Sequence, residues 1–118
     1  QVKAIVSYLR SYETLPRRAD KVDAQAAAKG DIGHGGELFE SICSTCHGVK
    51  GDGYLAGGSG TAIGKAGFLD NASDGFIRET IKYGRSNTRM LPFSGAEGLA
   101  NLGDQEVDDI IVYMRSMK

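Results

Sequence analysis

The chain has 118 residues, with 14 lysines and arginines against 15 aspartates and glutamates and a formal net charge of −1. One domain is the default at that length, and the charge balance excludes nucleic-acid binding by bulk electrostatics. No apolar run is long enough to cross a membrane as a helix.

Residues 1–13 carry Val2, Ile5, Val6 and Leu9 at helical spacing, which predicts an amphipathic helix. Pro16 ends it, because proline lacks the backbone N–H and clashes with the preceding turn. Residues 14–32 then read as a linker. Arg17, Arg18, Asp20, Lys21 and Asp23 are taken as solvated charges, and the run Ala24–Lys29 has no apolar face. Residues 33–118 form the domain proper.

Glycine is abundant, and twelve of the 17 fall between Gly30 and Gly67. A glycine-rich segment of that size is poor material for a packed core. It makes sense where a large apolar cofactor takes the place of missing side chains. The first helix of the domain is predicted from about Gly35 to Ser44, with Leu38, Phe39 and Ile42 on its apolar side. Gly35 and Phe39 share a face, and the glycine allows another helix to approach closely.

That helix leads into Cys43-Ser44-Thr45-Cys46-His47. The pattern C-x-x-C-H is a c-type haem attachment site. Each thiol adds to one vinyl group, and the following histidine is carried under the iron as an axial ligand. Three other readings compete: a thioredoxin-like redox pair, a structural disulfide, and half of a zinc site. The first lacks its βαβ context. The last lacks the paired spacing of four ligands, since the other histidine is His34 in a glycine run.

Residues 48–67 are predicted as a glycine-rich loop, with a short helical turn within Lys65–Asp70. A second helix begins at the N-cap Ser73 and turns Phe76, Ile77 and Ile81 inward. Gly84 terminates it. Residues 85–101 form a second loop, and a last helix starts near Gly103 or Asp104. Asp104 and Glu106 suit its positive end, and Arg115 and Lys118 the other. No strand is predicted.

A haem bound through one histidine has an open sixth position. Met90, Met114, Met117 and His34 are the candidates. Methionine on a helix is usually packing, and His34 lies only nine residues before Cys43. Met90 follows His47 by 43 residues, enough chain to pass from one haem face to the other. Pro92 stiffens its loop, and methionine with histidine is a recurrent axial pair.

The two ends of the chain echo each other. At an offset of 105, Val2/Val107, Ile5/Ile110, Tyr8/Tyr113, Arg10/Arg115 and Ser11/Ser116 are identical. This suggests a tandem repeat, in which residues 1–13 are the last helix of a preceding haem domain. A chance likeness of two amphipathic helices is the alternative. The chain also starts at Gln1 within a helical pattern, which is read as a processed piece of a larger exported protein.

Together, Gly35-x-x-x-Phe39, the Cys43–His47 pentapeptide, Met90-Leu91-Pro92-Phe93 and the last helix with Ile110 and Tyr113 resemble the class I cytochrome c family. The resemblance covers Gly33 to Lys118. It implies an all-α fold of three main short helices and glycine-rich loops around one covalent haem c. It also implies that Gly35 and Phe39 meet Ile110 and Tyr113. The family's methionine usually precedes proline directly, whereas Leu91 intervenes here. The family often has a proline after the haem motif whose carbonyl orients the axial histidine; within Gly60-Thr61-Ala62-Ile63 no proline is present, and Thr61 stands in its place, where a backbone carbonyl would orient His47. Thr61, Ile63, Pro92 and Phe93 are the further haem-binding positions. Arg85, just after the second helix, is the candidate propionate partner, ahead of Tyr83 and Asn87, because a guanidinium holds a carboxylate with two hydrogen bonds.

The function implied is one-electron transfer, not enzymatic turnover, in a domain of a larger respiratory or dehydrogenase-linked protein. Its partners would be a redox donor, a redox acceptor and the preceding domain, in the periplasm or another extracytoplasmic space. The alternative is a haem enzyme or gas sensor with a labile or absent distal methionine. The runs Gly51-x-Gly53 and Gly57-Gly58-x-Gly60 lack the strand-then-helix context of a dinucleotide site.

Overall fold

The computed structural model describes residues 2–5, 18–96 and 98–118. Residues 2–5 are helical. Val6, Leu9 and Pro16, on which the expected N-terminal helix and its end depend, lie outside the described residues.

The domain is all-α. Helix α1 spans Arg18–Asp23 and α2 spans Ile32–Leu38. A π turn over Phe39–Cys43 carries the chain without a break into α3, Ser44–His47. A 3₁₀ turn covers Gly53–Ala56. Then come α4, Ala66–Leu69, α5, Asp74–Tyr83, and α6, Asp104–Arg115. The only extended pairing among the described residues is one isolated bridge, Ser94 with Leu102. Among them, no helix is long and apolar enough to cross a membrane.

The haem-motif helix is longer than the glycine content suggests. Asp31 caps it, its side chain accepting from the N–H groups of Gly33 and His34 at 2.8 and 3.1 Å. That cap offsets the low helix propensity of Gly33, Gly35 and Gly36. The start therefore falls at Ile32 rather than Gly35. At the other end Ser44 N–H reaches back five residues to the Phe39 carbonyl, and the wider turn re-aims the side chains that follow.

α2 and α6 cross over Gly35. A Cβ there would lie 1.9 Å from the Asp109 carbonyl oxygen, so a side chain of any size would force the helices apart. Phe39 is fully buried at the crossing, and its ring centroid lies 5.5 Å from that of Tyr113. Val107, Ile110, Ile111 and Met114 turn from α6 into the same core, with Leu69, Ile77, Ile81 and Leu102. Phe76, expected inward, is instead 39% exposed, because it lies on a different face of α5 from Ile77 and Ile81.

Asp109 is buried beneath the crossing. It accepts from the Asp31 N–H at 2.7 Å and from Gln105 Nε2 at 3.0 Å, and it pairs with His34 Nδ1 at 2.9 Å. Burial pushes its carboxyl up, but the hydrogen bonds from Gln105, His34 and Asp31 outweigh that and hold it below the ordinary 3.8. The hydrogen bond to Asp109 in turn raises His34 above its ordinary 6.5 against the effect of its own desolvation, and the charges of Asp109, Glu106 and Glu37 add to the rise.

Where it is described, the segment expected as a linker is hydrogen-bonded to the helices that follow. Ser73 Oγ donates to Asp23, and Ala28 N–H donates to Asp74 Oδ2 at 2.7 Å. Arg78 reaches the Ala26 carbonyl and the Gln25 side chain, and Gln105 reaches the Lys29 carbonyl. Residues 23–31 are thus strapped to α5 and α6, at Ala26, Ala28 and Lys29 through the backbone and at Asp23 and Gln25 through side chains. An apolar face is not required for that, which is why its absence from Ala24–Lys29 misleads.

Truncating Phe39 to Ala should cost about 3–5 kcal/mol in denaturant unfolding, the range for a buried phenylalanine. A loss below about 0.5 kcal/mol, typical of surface changes, would refute the packing. The His34–Asp109 pair also predicts a pH window. His34 has a raised value, so its charge contribution is full below 6.5 and lost as pH rises through the folded value. Asp109 has a lowered value, so its contribution is present above 3.8 and lost as pH falls through the folded value. The stability gap between the wild type and His34→Gln should be widest between these limits and narrow at alkaline pH. Parallel pH profiles for the two proteins would remove the pair from the stability of the crossing.

Candidate haem-binding site

The attachment pentapeptide occupies the π turn and α3, which end at Gly48 with φ 81°. The glycine-rich loop then folds back over it. Gly60 N–H donates to the Cys46 carbonyl at 2.7 Å, and Gly64 N–H to the Gly51 carbonyl at 3.0 Å. Lys65 and Asp52 close the loop with an ion pair of 2.5 Å. This return brings the Thr61 carbonyl within 2.8 Å of His47 Nδ1.

A carbonyl only accepts, so His47 Nδ1 is the donor, and in the neutral imidazole this tautomer leaves the lone pair on Nε2. Imidazoles that ligate metals are held this way, with the second nitrogen donating to a backbone carbonyl. A Cβ on Gly60 would fall 2.6 Å from His47 Nδ1, so the ring sits in a cradle that a side chain would fill. Cys43 is half-buried against the core and Cys46 is exposed, both as free thiols. Burial, with Cys46 beside it, pushes the Cys43 thiol up to about 12. An imidazole with a free Nε2 and two thiols on adjoining turns fit a covalently attached haem. They do not fit a zinc cage, because no three metal-binding side chains converge among the described residues.

Met90 is half-buried and packs against the core cluster, as do Cys43, Ile63 and Phe93. Its loop is hydrogen-bonded to the end of α5. Phe93 N–H donates to the Ile81 carbonyl at 3.1 Å, and Arg85 N–H donates to the Met90 carbonyl at 2.8 Å. Leu102 N–H donates to the Phe93 carbonyl at 2.8 Å and ties the loop to the approach of α6. Leu91 and Pro92 are exposed on the outside of this loop.

The remaining candidates separate. Thr61 contributes its carbonyl to His47, and its side chain is exposed. Arg85 is exposed, with its guanidinium 4.7 Å from the centre of the Phe76 ring rather than beside a core-facing group. Tyr83 and Asn87 are also exposed. Met114 is buried in the helix core, Met117 packs on its edge, and His34 is tied to Asp109. Sequence reasoning missed the π turn, the buried Asp109 and the hydroxyl of Thr88. Asp109 carried a signal, as a carboxylate one residue before Ile110 on the face turned towards Gly35.

A family model for cytochrome c matches residues 32–118. Among solved structures, a protein titled KustC0563 c-type cytochrome is similar at a TM-score of 0.55 and 28% sequence identity. That match covers 71% of this chain and 96% of the other.

Proposed function

This chain belongs to the cytochrome c family and takes one covalent haem c, and we propose that it is a one-electron carrier domain with His47 and Met90 as its axial pair. Haem c, when bound, supplies a one-electron couple at iron. Every other part of the task falls to the polypeptide. Cys43 and Cys46 would anchor the group, and His47 would ligate the iron through Nε2 with Nδ1 held on the Thr61 carbonyl. Methionine as the second ligand raises the reduction potential and leaves no coordination site for a substrate. Ile63 and Phe93 would line the apolar surround, Pro92 would stiffen the Met90 loop, and the exposed Arg85 guanidinium would be the propionate partner.

The observation that carries this proposal is the His47–Thr61 hydrogen bond, which selects the ligating tautomer in the residue that follows Cys46. Met90 is supported by its packing on the same apolar cluster as Cys43. The intact mass of the exported protein should exceed that of the bare polypeptide by one haem. Met90→Ala should lose the weak far-red band of methionine–iron coordination, lower the potential and let carbon monoxide bind the ferrous form. An unchanged spectrum and potential in that variant would assign the ligand to another residue.

We further propose that the domain works within a larger extracytoplasmic redox protein, with a donor and an acceptor as partners. Family members are usually extracytoplasmic. The repeat at offset 105 supports the larger context. Val107 and Ile110 are fully buried, whereas their counterparts Val2 and Ile5 are 75% and 59% exposed. Ile110→Ala should cost about 2–5 kcal/mol, and Ile5→Ala should stay within about 0.5 kcal/mol. A cost above about 1 kcal/mol for Ile5→Ala would make the N-terminal helix part of this domain and end the repeat reading.

A further inference from the structure

We infer that Thr88 is the positioning residue for Met90, its hydroxyl holding the turn that presents the methionine. The inference rests on Met90 as the axial ligand. The chain leaves α5 through Gly84 at φ 68° and turns again at Asn87, a non-glycine residue in the left-handed region at φ 61°. Such a turn is not held by propensity alone. Its ends are pinned by the Arg85 N–H on the Met90 carbonyl. Between them, the Thr88 side chain forms the cross-brace. Oγ1 donates to the Arg85 carbonyl at 2.8 Å and accepts from the Met90 N–H at 3.1 Å. Both backbone polar groups of Met90 are therefore engaged, one by Arg85 and one by Thr88.

Thr88 is exposed, so core packing does not explain it. Its hydroxyl uses its donor and one acceptor position on the segment that carries the ligand. The neighbouring Pro92 fixes its own φ but donates no hydrogen bond. Leu91 separates that proline from the methionine; the turn's other backbone bonds run from Thr88 N–H to the Arg85 carbonyl at 3.3 Å and from Leu91 N–H to the Arg89 carbonyl at 3.0 Å, and the Met90 N–H itself is held by the hydroxyl.

The test compares wild type, Thr88→Val and Thr88→Ser as ferric holoproteins titrated with imidazole. Valine keeps the branched shape and removes the hydroxyl, and serine keeps the hydroxyl. Thr88→Val should bind imidazole about five- to tenfold more tightly, as the loss of one or two neutral hydrogen bonds implies. Its Met90 amide should exchange with solvent faster than in wild type, and its denaturant midpoint should change little. Thr88→Ser should stay within about twofold of wild type on the same scale. Equal imidazole affinity in Thr88→Val and wild type, or equal gains in the valine and serine variants, would overturn the role of Thr88 alone. A global stability loss large enough to match the affinity gain would overturn it too. Absence of the far-red methionine–iron band from wild type would overturn the Met90 assignment, and this inference with it.

Discussion

The contact of Gly35 with the Asp109 carbonyl is the constraint on which the rest of the domain depends. A missing Cβ lets α2 and α6 cross at backbone distance, and the space gained is filled by Phe39, Ile110 and Tyr113. A buried carboxylate beside this contact would be costly without partners. Asp109 has three, and two of them, Asp31 and His34, begin the helix that ends at the haem motif. The same residue thus supplies the close approach through its backbone and fixes the register of α2 through its side chain.

From α6 the geometry propagates to the second half of the site. Arg78 pairs with Asp108 at 2.8 Å and Lys82 with Asp104 at 2.9 Å, setting α5 alongside α6. Arg115 bonds Asp74 and the carbonyls of Leu69 and Ala72, so the start of α5 and the end of α4 are held by one guanidinium. Asp74 in turn accepts from Ala28, which brings the strap into the same network. The carbonyls of Ile81 and Lys82 then receive Phe93 and Ser94, and the Met90 loop hangs from that point. The Met90 loop packs on the same cluster that α6 builds, so both the hydrogen bonds and the core place it relative to that helix.

The division between what the sequence discloses and what it hides follows the chemistry. Cys43, Cys46 and His47 are legible because covalent attachment demands their spacing, and α5 is legible because Ser73 and Gly84 bracket it with residues suited to caps. Gly35 and Phe39 are legible through periodicity. The strap over residues 23–31 is not, because its bonds run from backbone groups to side chains more than forty residues away. The start of α2 is obscured because three glycines argue against a helix while one aspartate argues for it. The exposure of Phe76 illustrates a limit of apolar counting: Ile77 and Ile81, four residues apart, set the buried face of α5, and Phe76 falls to the side of it.

The two proposed axial segments are held in different ways, and the difference bears on what each contributes. His47 sits at the end of a helix, with its ring oriented by a carbonyl from a loop that the Cys46 carbonyl itself anchors. Its orientation is therefore set by short-range backbone bonds around the attachment site. Met90 lies on a loop tied to α5 through Phe93 and Ser94, while its interior is held by local backbone bonds and one exposed hydroxyl. Opening of the Met90 turn breaks few bonds and disturbs no buried side chain at its tip. Displacement of His47 would require the glycine loop to lift from Cys46. The two sides of a haem held between them would thus differ in lability, with the methionine side the one that yields first.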